Sequence, residues 1–162
     1  MIKTAPSARI SPWADIEDSV RGSQIVIGSG TVIDSFVKIK PAGGNGDLII
    51  GSNCHINSGC VLYTGGGIVI GNNVSVAANC TFAPVNHEYK DRNILIQDQG
   101  FCESKGGIII GDDVWIGANS VLLDGTILGQ GVVIGAGSVV RGNFDSYRVF
   151  AGNPLRCIGS RK

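Results

Sequence analysis

Aliphatic residues recur every six positions through most of this chain, and no other feature narrows its fold so far. The register runs Ile27, Ile33, Ile39; Ile50, Ile56, Leu62; Ile70, Val76, Phe82; then Ile110, Ile116, Leu122, Leu128, Ile134, Val140 without a slip. Ile10 and Ile16 begin a first, less regular set. Three residues after the aliphatic, ten of eleven units carry Gly, Asn or Asp, with Phe36 as the exception. Those residue types tolerate a left-handed backbone, so each unit reads as a short strand followed by a tight corner. Composition agrees. Isoleucine and valine number 37 against 7 leucines, and glycine, 25 of 162 residues, stands at roughly twice its usual ~7%. β-Branched excess punctuated by glycine favours many short strands over helices.

Side chains alternate across a strand. The inward positions are the aliphatic and the often small residue two before it: Cys54, Cys60, Cys80, Val114, Ser120, Ser138. Three of the five cysteines thus read as reduced core packing, and no CxxC pair argues for metal or disulfide. Six-residue units, three to a coil, build a prism with three faces. The pattern resembles the left-handed parallel β-helix of hexapeptide repeats, and the handedness is implied by that resemblance alone. The expected fold is all-β, about six stacked coils. Just before each aliphatic the side chain points outward. One face then carries Val26, Ile49, Val69, Ile109 and Ile127, a second Val32, His55, Ser75, Trp115 and Val133, the third Lys38, Val61, Thr81, Val121 and Val139. The first is wholly β-branched, and left in water it would be a sticky patch. It reads as a subunit interface or as a surface covered by the chain's own tail.

Thirteen basic and thirteen acidic side chains cancel. A neutral chain has no general electrostatic pull toward nucleic acid or anionic membrane. With no long apolar run and no charged start leading into an apolar segment, the expectation is a cytoplasmic protein without membrane insertion.

The repeat breaks once at length, between Phe82 and Ile110. About 25 residues, 83–107, leave the prism as a loop, and loops beyond ~12–15 residues are usually functional. This one carries His87, five residues past the last aliphatic, flanked by Asn86 and Glu88. A neutral histidine at such a place can take a proton from an alcohol or amine near pH 7.

"NHEY", the run "GGIIIGDDVWIGANSVLLDGTILGQGVVIGAGSVV" and "AGNPLRCIG" together resemble the hexapeptide acyltransferases, in their maltose/galactoside, nodulation-type and polysaccharide O-acetyltransferase branch. The resemblance implies an acetyl-CoA-dependent O- or N-acetyltransferase, acting on a sugar in polysaccharide or lipopolysaccharide biosynthesis by direct transfer and without a metal. It implies His87 as the base, with Asn86 or Glu88 as candidates to orient it. It implies a homotrimer with CoA in the groove between prisms. Trp115 would wall the pantetheine arm, although an interface filler has the same outward placement. Ala118 and Ala136 match positions whose backbone contacts CoA. Arg141 and Arg156 match basic positions near the nucleotide end, and Asn153 and Pro154 match positions near the adenine. His55 and Asn57 are candidates for acceptor contact. The insertion "PAGGNG", 41–46, is either part of an acceptor pocket or a surface bulge. Residues 1–142 are read as the prism and 143–162 as a strand-and-turn tail. Two other classes share the prism. A hexapeptide carbonic anhydrase needs three histidines on zinc, and this chain has two. A non-catalytic scaffold has no use for the histidine loop or the outward Trp115.

Overall fold

A computed structural model describes all residues, 1–162. The first coil holds β1 (Ile2–Thr4), β2 (Arg9–Ile10) and β3 (Asp15–Ile16), and the second β4 (Ile25–Ile27), β5 (Val32–Ile33) and β6 (Lys38–Lys40). The third holds β7 (Leu48–Ile50), β8 (His55–Ile56) and β9 (Val61–Tyr63), and the fourth β10 (Ile68–Ile70), β11 (Ser75–Val76) and β12 (Thr81–Ala83). After the loop with its single turn of helix, α1 (Ile96–Gln99), come β13 (Ile108–Ile110), β14 (Trp115–Ile116) and β15 (Val121–Leu123). The sixth coil is β16 (Ile127–Leu128), β17 (Val133–Ile134) and β18 (Val139–Val140), followed by β19 (Asn143–Phe144), β20 (Arg148–Ala151) and β21 (Arg156–Ser160). The first strands of the coils form one parallel sheet, the second strands another and the third strands a third, here called A, B and C. This is the left-handed β-helix of hexapeptide repeats. Parallel pairing runs past residue 142, because β19 joins sheet A beside β16 and β20 joins sheet B beside β17; β21 then folds back antiparallel on β20.

The alternation holds throughout. All fifteen aliphatic positions of the register from Ile27 to Val140 are at most 2% exposed, and Cys54, Cys60, Cys80, Ser120 and Ser138 are completely buried beside them. All five cysteines are free, and burial pushes the Cys54 thiol up from its ordinary value. The eleven corners expected to need a left-handed backbone all have positive φ, Phe36 included at 63°. Glycine after the aliphatic has a different cause, the close stacking of coils. A Cβ at Gly28 would stand 2.5 Å from the carbonyl oxygen of Gly51, and one at Gly51 2.5 Å from that of Gly71.

The outward ladders are as expected. Val26, Ile49, Val69, Ile109 and Ile127 lie side by side on sheet A, ended by Lys3 and Asn143. Ile49, Val69, Ile109 and Ile127 are 40–47% exposed, and the C-terminal hairpin lies on sheet B, so the chain's own tail does not cover this stripe. No helix is long and apolar enough to cross a membrane.

Candidate functional site

The loop leaves the prism after β12, at the edge where sheet C turns into sheet A. It is more ordered than its sequence suggests. His87 and Phe101 form an antiparallel bridge, flanked by the Glu88 amide on the Gly100 carbonyl (3.0 Å) and the Cys102 amide on the Asn86 carbonyl (2.9 Å). The His87 ring is exposed and lies against the Phe101 ring, centroids 4.8 Å apart. The Gln99 amide group donates to the carbonyls of Asp91 and Ile94, closing the loop tip. The 41–46 insertion packs on the same edge, where a Cβ at Gly43 would meet Val85 Cγ2 at 2.8 Å.

Neither expected orienting group bonds to the imidazole. The Glu88 carboxylate accepts the amides of Tyr89 and Lys90, which hold it below the usual carboxylate range. The Asn86 amide group donates instead to Asp124 Oδ1 at 2.7 Å. Asp124 is 2% exposed; its other oxygen accepts the Lys105 amide at 2.9 Å, and Arg141 pairs with it. Burial works against the Asp124 charge, but the Lys105 amide, the Arg141 guanidinium and Asn86 outweigh it and hold the carboxyl below its ordinary value. Arg141 therefore stands beside the histidine loop, away from the residues expected with it at the nucleotide end. Together these groups line a cleft of about 840 Å³ that includes Asn86, His87, Glu88, Cys102, Asp124 and Arg141.

The remaining candidates gather elsewhere. Trp115, 53% exposed, stands on sheet B between Ser75 and Val133, with His55 on the far side of Ser75. Ala118 and Ala136 lie at the edge between sheets B and C. The Gly152 amide bonds the Ser138 hydroxyl at 3.0 Å, and this sets the exposed Asn153, Pro154 and Arg156 at the same end. Asn57 spends its amide group on the Val76 carbonyl at 2.7 Å, a structural bond. In a triangular prism the C–A edge is opposite face B, so one chain cannot bring His87 and Trp115 together. Nor does it gather three His, Cys, Asp or Glu side chains able to hold a metal ion.

Sequence reasoning passed over Asp124 and Phe101. The signal for Asp124 was present: counting inward, outward, inward from Leu122 puts a carboxylate inside the prism, where a lone charge is costly.

Residues 107–142 match the bacterial transferase hexapeptide model (six repeats), and 47–81 match the hexapeptide repeat of succinyl-transferase. WbbJ of Escherichia coli (strain K12), named for O-acetyl transfer in lipopolysaccharide biosynthesis, is 31% identical over 85% of this chain and 69% of its own length. This chain belongs to the hexapeptide-repeat acyltransferase family. A Mycobacterium tuberculosis relative named as an acetyltransferase is 33% identical over 72% of the chain, which spans 38% of that relative's length. Among solved structures, AntD, an N-acyltransferase from Bacillus cereus in complex with dTDP and 3-hydroxybutyryl-CoA, superposes with a TM-score of 0.82. It is 26% identical, covering 99% of this chain and 83% of AntD.

Proposed function

We propose that the protein is an acetyl-CoA-dependent acetyltransferase that modifies a hydroxyl or amine of a sugar in polysaccharide or lipopolysaccharide biosynthesis. The observation that carries this reading is the single long loop of an otherwise regular acyltransferase prism, which presents the exposed His87 at the mouth of a cleft. The names of WbbJ and AntD, one an O-acetyl and the other an N-acyl transferase, support the class of reaction.

The acyl donor supplies an activated thioester. On this reading His87 takes the proton from the acceptor as it attacks the thioester carbonyl, with no covalent enzyme intermediate and no metal. The residues of face B and of its edge with sheet C fit a CoA chain: Trp115 offers an exposed aromatic wall, the small Ala118 and Ala136 let a ligand approach the backbone, and Arg156 is free of carboxylate partners for a phosphate. Asn153 and Pro154 lie at the same end, where an adenine would sit. Arg141 belongs to the acceptor side instead, and His55 remains a candidate for acceptor contact.

Because His87 and Trp115 stand on opposite sides of one prism, the complete site needs two copies. The exposed stripe on sheet A supplies a reason for them to associate, and the reading is a homotrimer with one groove per pair of prisms. A cytoplasmic location fits this reading, since the donor is acetyl-CoA and the five cysteines are unpaired. The test is thiol release from acetyl-CoA against a panel of sugars and amino sugars. Acceptor-dependent release supports the reading; none with any carbohydrate, while CoA still binds, contradicts the sugar assignment.

A further inference from the structure

We propose that Asp124 is a positioning residue whose buried carboxylate ties both stems of the loop to the fifth coil and thereby sets where His87 stands. The proposal rests on the reading of His87 as the base.

Three observations carry it. First, the two stems meet on one group. Asn86, from the outgoing stem, donates to one carboxylate oxygen at 2.7 Å, and the Lys105 amide, from the returning stem, donates to the other at 2.9 Å. Second, the outgoing stem has no comparable tie. Asn86 is the only residue between Val85 and Ser104 whose side chain hydrogen-bonds to a coil. The returning stem is also held by backbone, since the Gly125 amide bonds the carbonyls of Gly106 and Gly107. The Ser104 hydroxyl reaches only the Pro84 carbonyl and that of Gly106. Third, the place does not need an acid for packing. Continuing the sheet C register, Thr64 and Pro84 hold the equivalent position in the two preceding coils, both buried. A carboxylate there, 2% exposed, is sustained by Arg141 and by the two stems.

The path from Asp124 to the imidazole is short. Asn86 is the residue before His87, and its own carbonyl accepts the Cys102 amide, beside the bridge that sets His87 against Phe101. Freeing the Asn86 side chain therefore releases the strand pair that carries the ring. A misplacement of about 1 Å in a reacting group can cost ~10²-fold in rate.

The experiment compares Asp124→Asn, Asn86→Ala and the exchanged pair Asn86→Asp with Asp124→Asn. In the pair, the new amide at 124 can accept from Lys105 and donate to the new carboxylate at 86. Both single variants are expected to lower kcat by about 10²-fold, leave CoA affinity unchanged, and speed amide hydrogen exchange at 86–88 and 101–103 about tenfold or more. The exchanged pair should recover both slow exchange and turnover. Unchanged exchange in the single variants overturns the tie, whatever His87 does. Faster exchange with undiminished kcat overturns the positioning role. His87→Ala, measured alongside, separates this from the function itself: normal turnover there overturns the base reading, while the tie is judged on exchange alone.

Discussion

The stacking of coils five and six can be tested by one methyl group. A Cβ at Gly117 would stand 2.9 Å from both Ala136 Cα and the Gly135 carbonyl carbon, and closer still to the Ala136 nitrogen. These are backbone atoms that cannot swing aside, so Gly117→Ala must open the stack by roughly an ångström at this edge. Two bonds cross there, Gly117 to the Ile134 carbonyl at 2.7 Å and Gly137 to the Ala118 carbonyl at 2.8 Å. Losing both at about 1 kcal/mol each, on top of ~1–3 kcal/mol for overpacking, gives about 3–5 kcal/mol. For a chain of this size that is a fall in Tm of about 6–20 °C. Gly137→Ala is the internal control: nothing lies within 4 Å of its added Cβ, but φ is +68°, so its cost is a backbone strain of about 1–2 kcal/mol. Thermal and urea unfolding of the two variants decide the matter. If Gly117→Ala is no less stable than Gly137→Ala, close backbone stacking is not what keeps glycine at that position.

Phe36 is, with Tyr147, one of two large side chains in a left-handed corner, and it is 65% exposed. Phe36→Asn should raise stability by about 1 kcal/mol; a measured loss would mean that its contacts outweigh the strain. Asp124 is held ionised in the fold, so its contribution is complete above the unfolded carboxyl range near ~4 and disappears as pH falls through the lower folded value. Protection of the loop-stem amides, taken relative to their intrinsic exchange rate at each pH, should fall below about pH 4, and Asp124→Asn should remove that acid step; a persistent step would assign it to another carboxylate. If the site lies between copies, co-expressing His87→Ala with Trp115→Ala should restore about one intact groove in four, read as turnover at low acetyl-CoA. No recovery in mixed trimers that sediment normally would place the whole site within one chain.

The prism was legible because its information is periodic. Fifteen aliphatics, the glycines beside them and the corner residues each repeat the same physical requirement, so Phe36 could break the rule without hiding it. The loop was legible as an interruption, with His87 as its one group suited to proton transfer near neutrality. The partners of that loop were harder. Arg141 matched a basic position of the family and was grouped with Arg156, whereas the structure pairs it with Asp124 on another edge. Such a contact joins one loop to two different coils and follows no repeat. Asn86 was legible as a neighbour of His87, but its role depends on a carboxylate 38 residues later. The separation of His87 from Trp115 was implicit in the phase of the repeat, since one follows the third strand of a coil and the other lies on the second.

The central claim, that the loop exists to present a general base, is tested most directly by the turnover of His87→Ala with acetyl-CoA and the acceptor identified from the sugar panel. A drop in kcat of about 10²–10⁴ is expected, with the assembly and CoA affinity intact. Near-normal turnover in a folded, CoA-binding His87→Ala protein would contradict it.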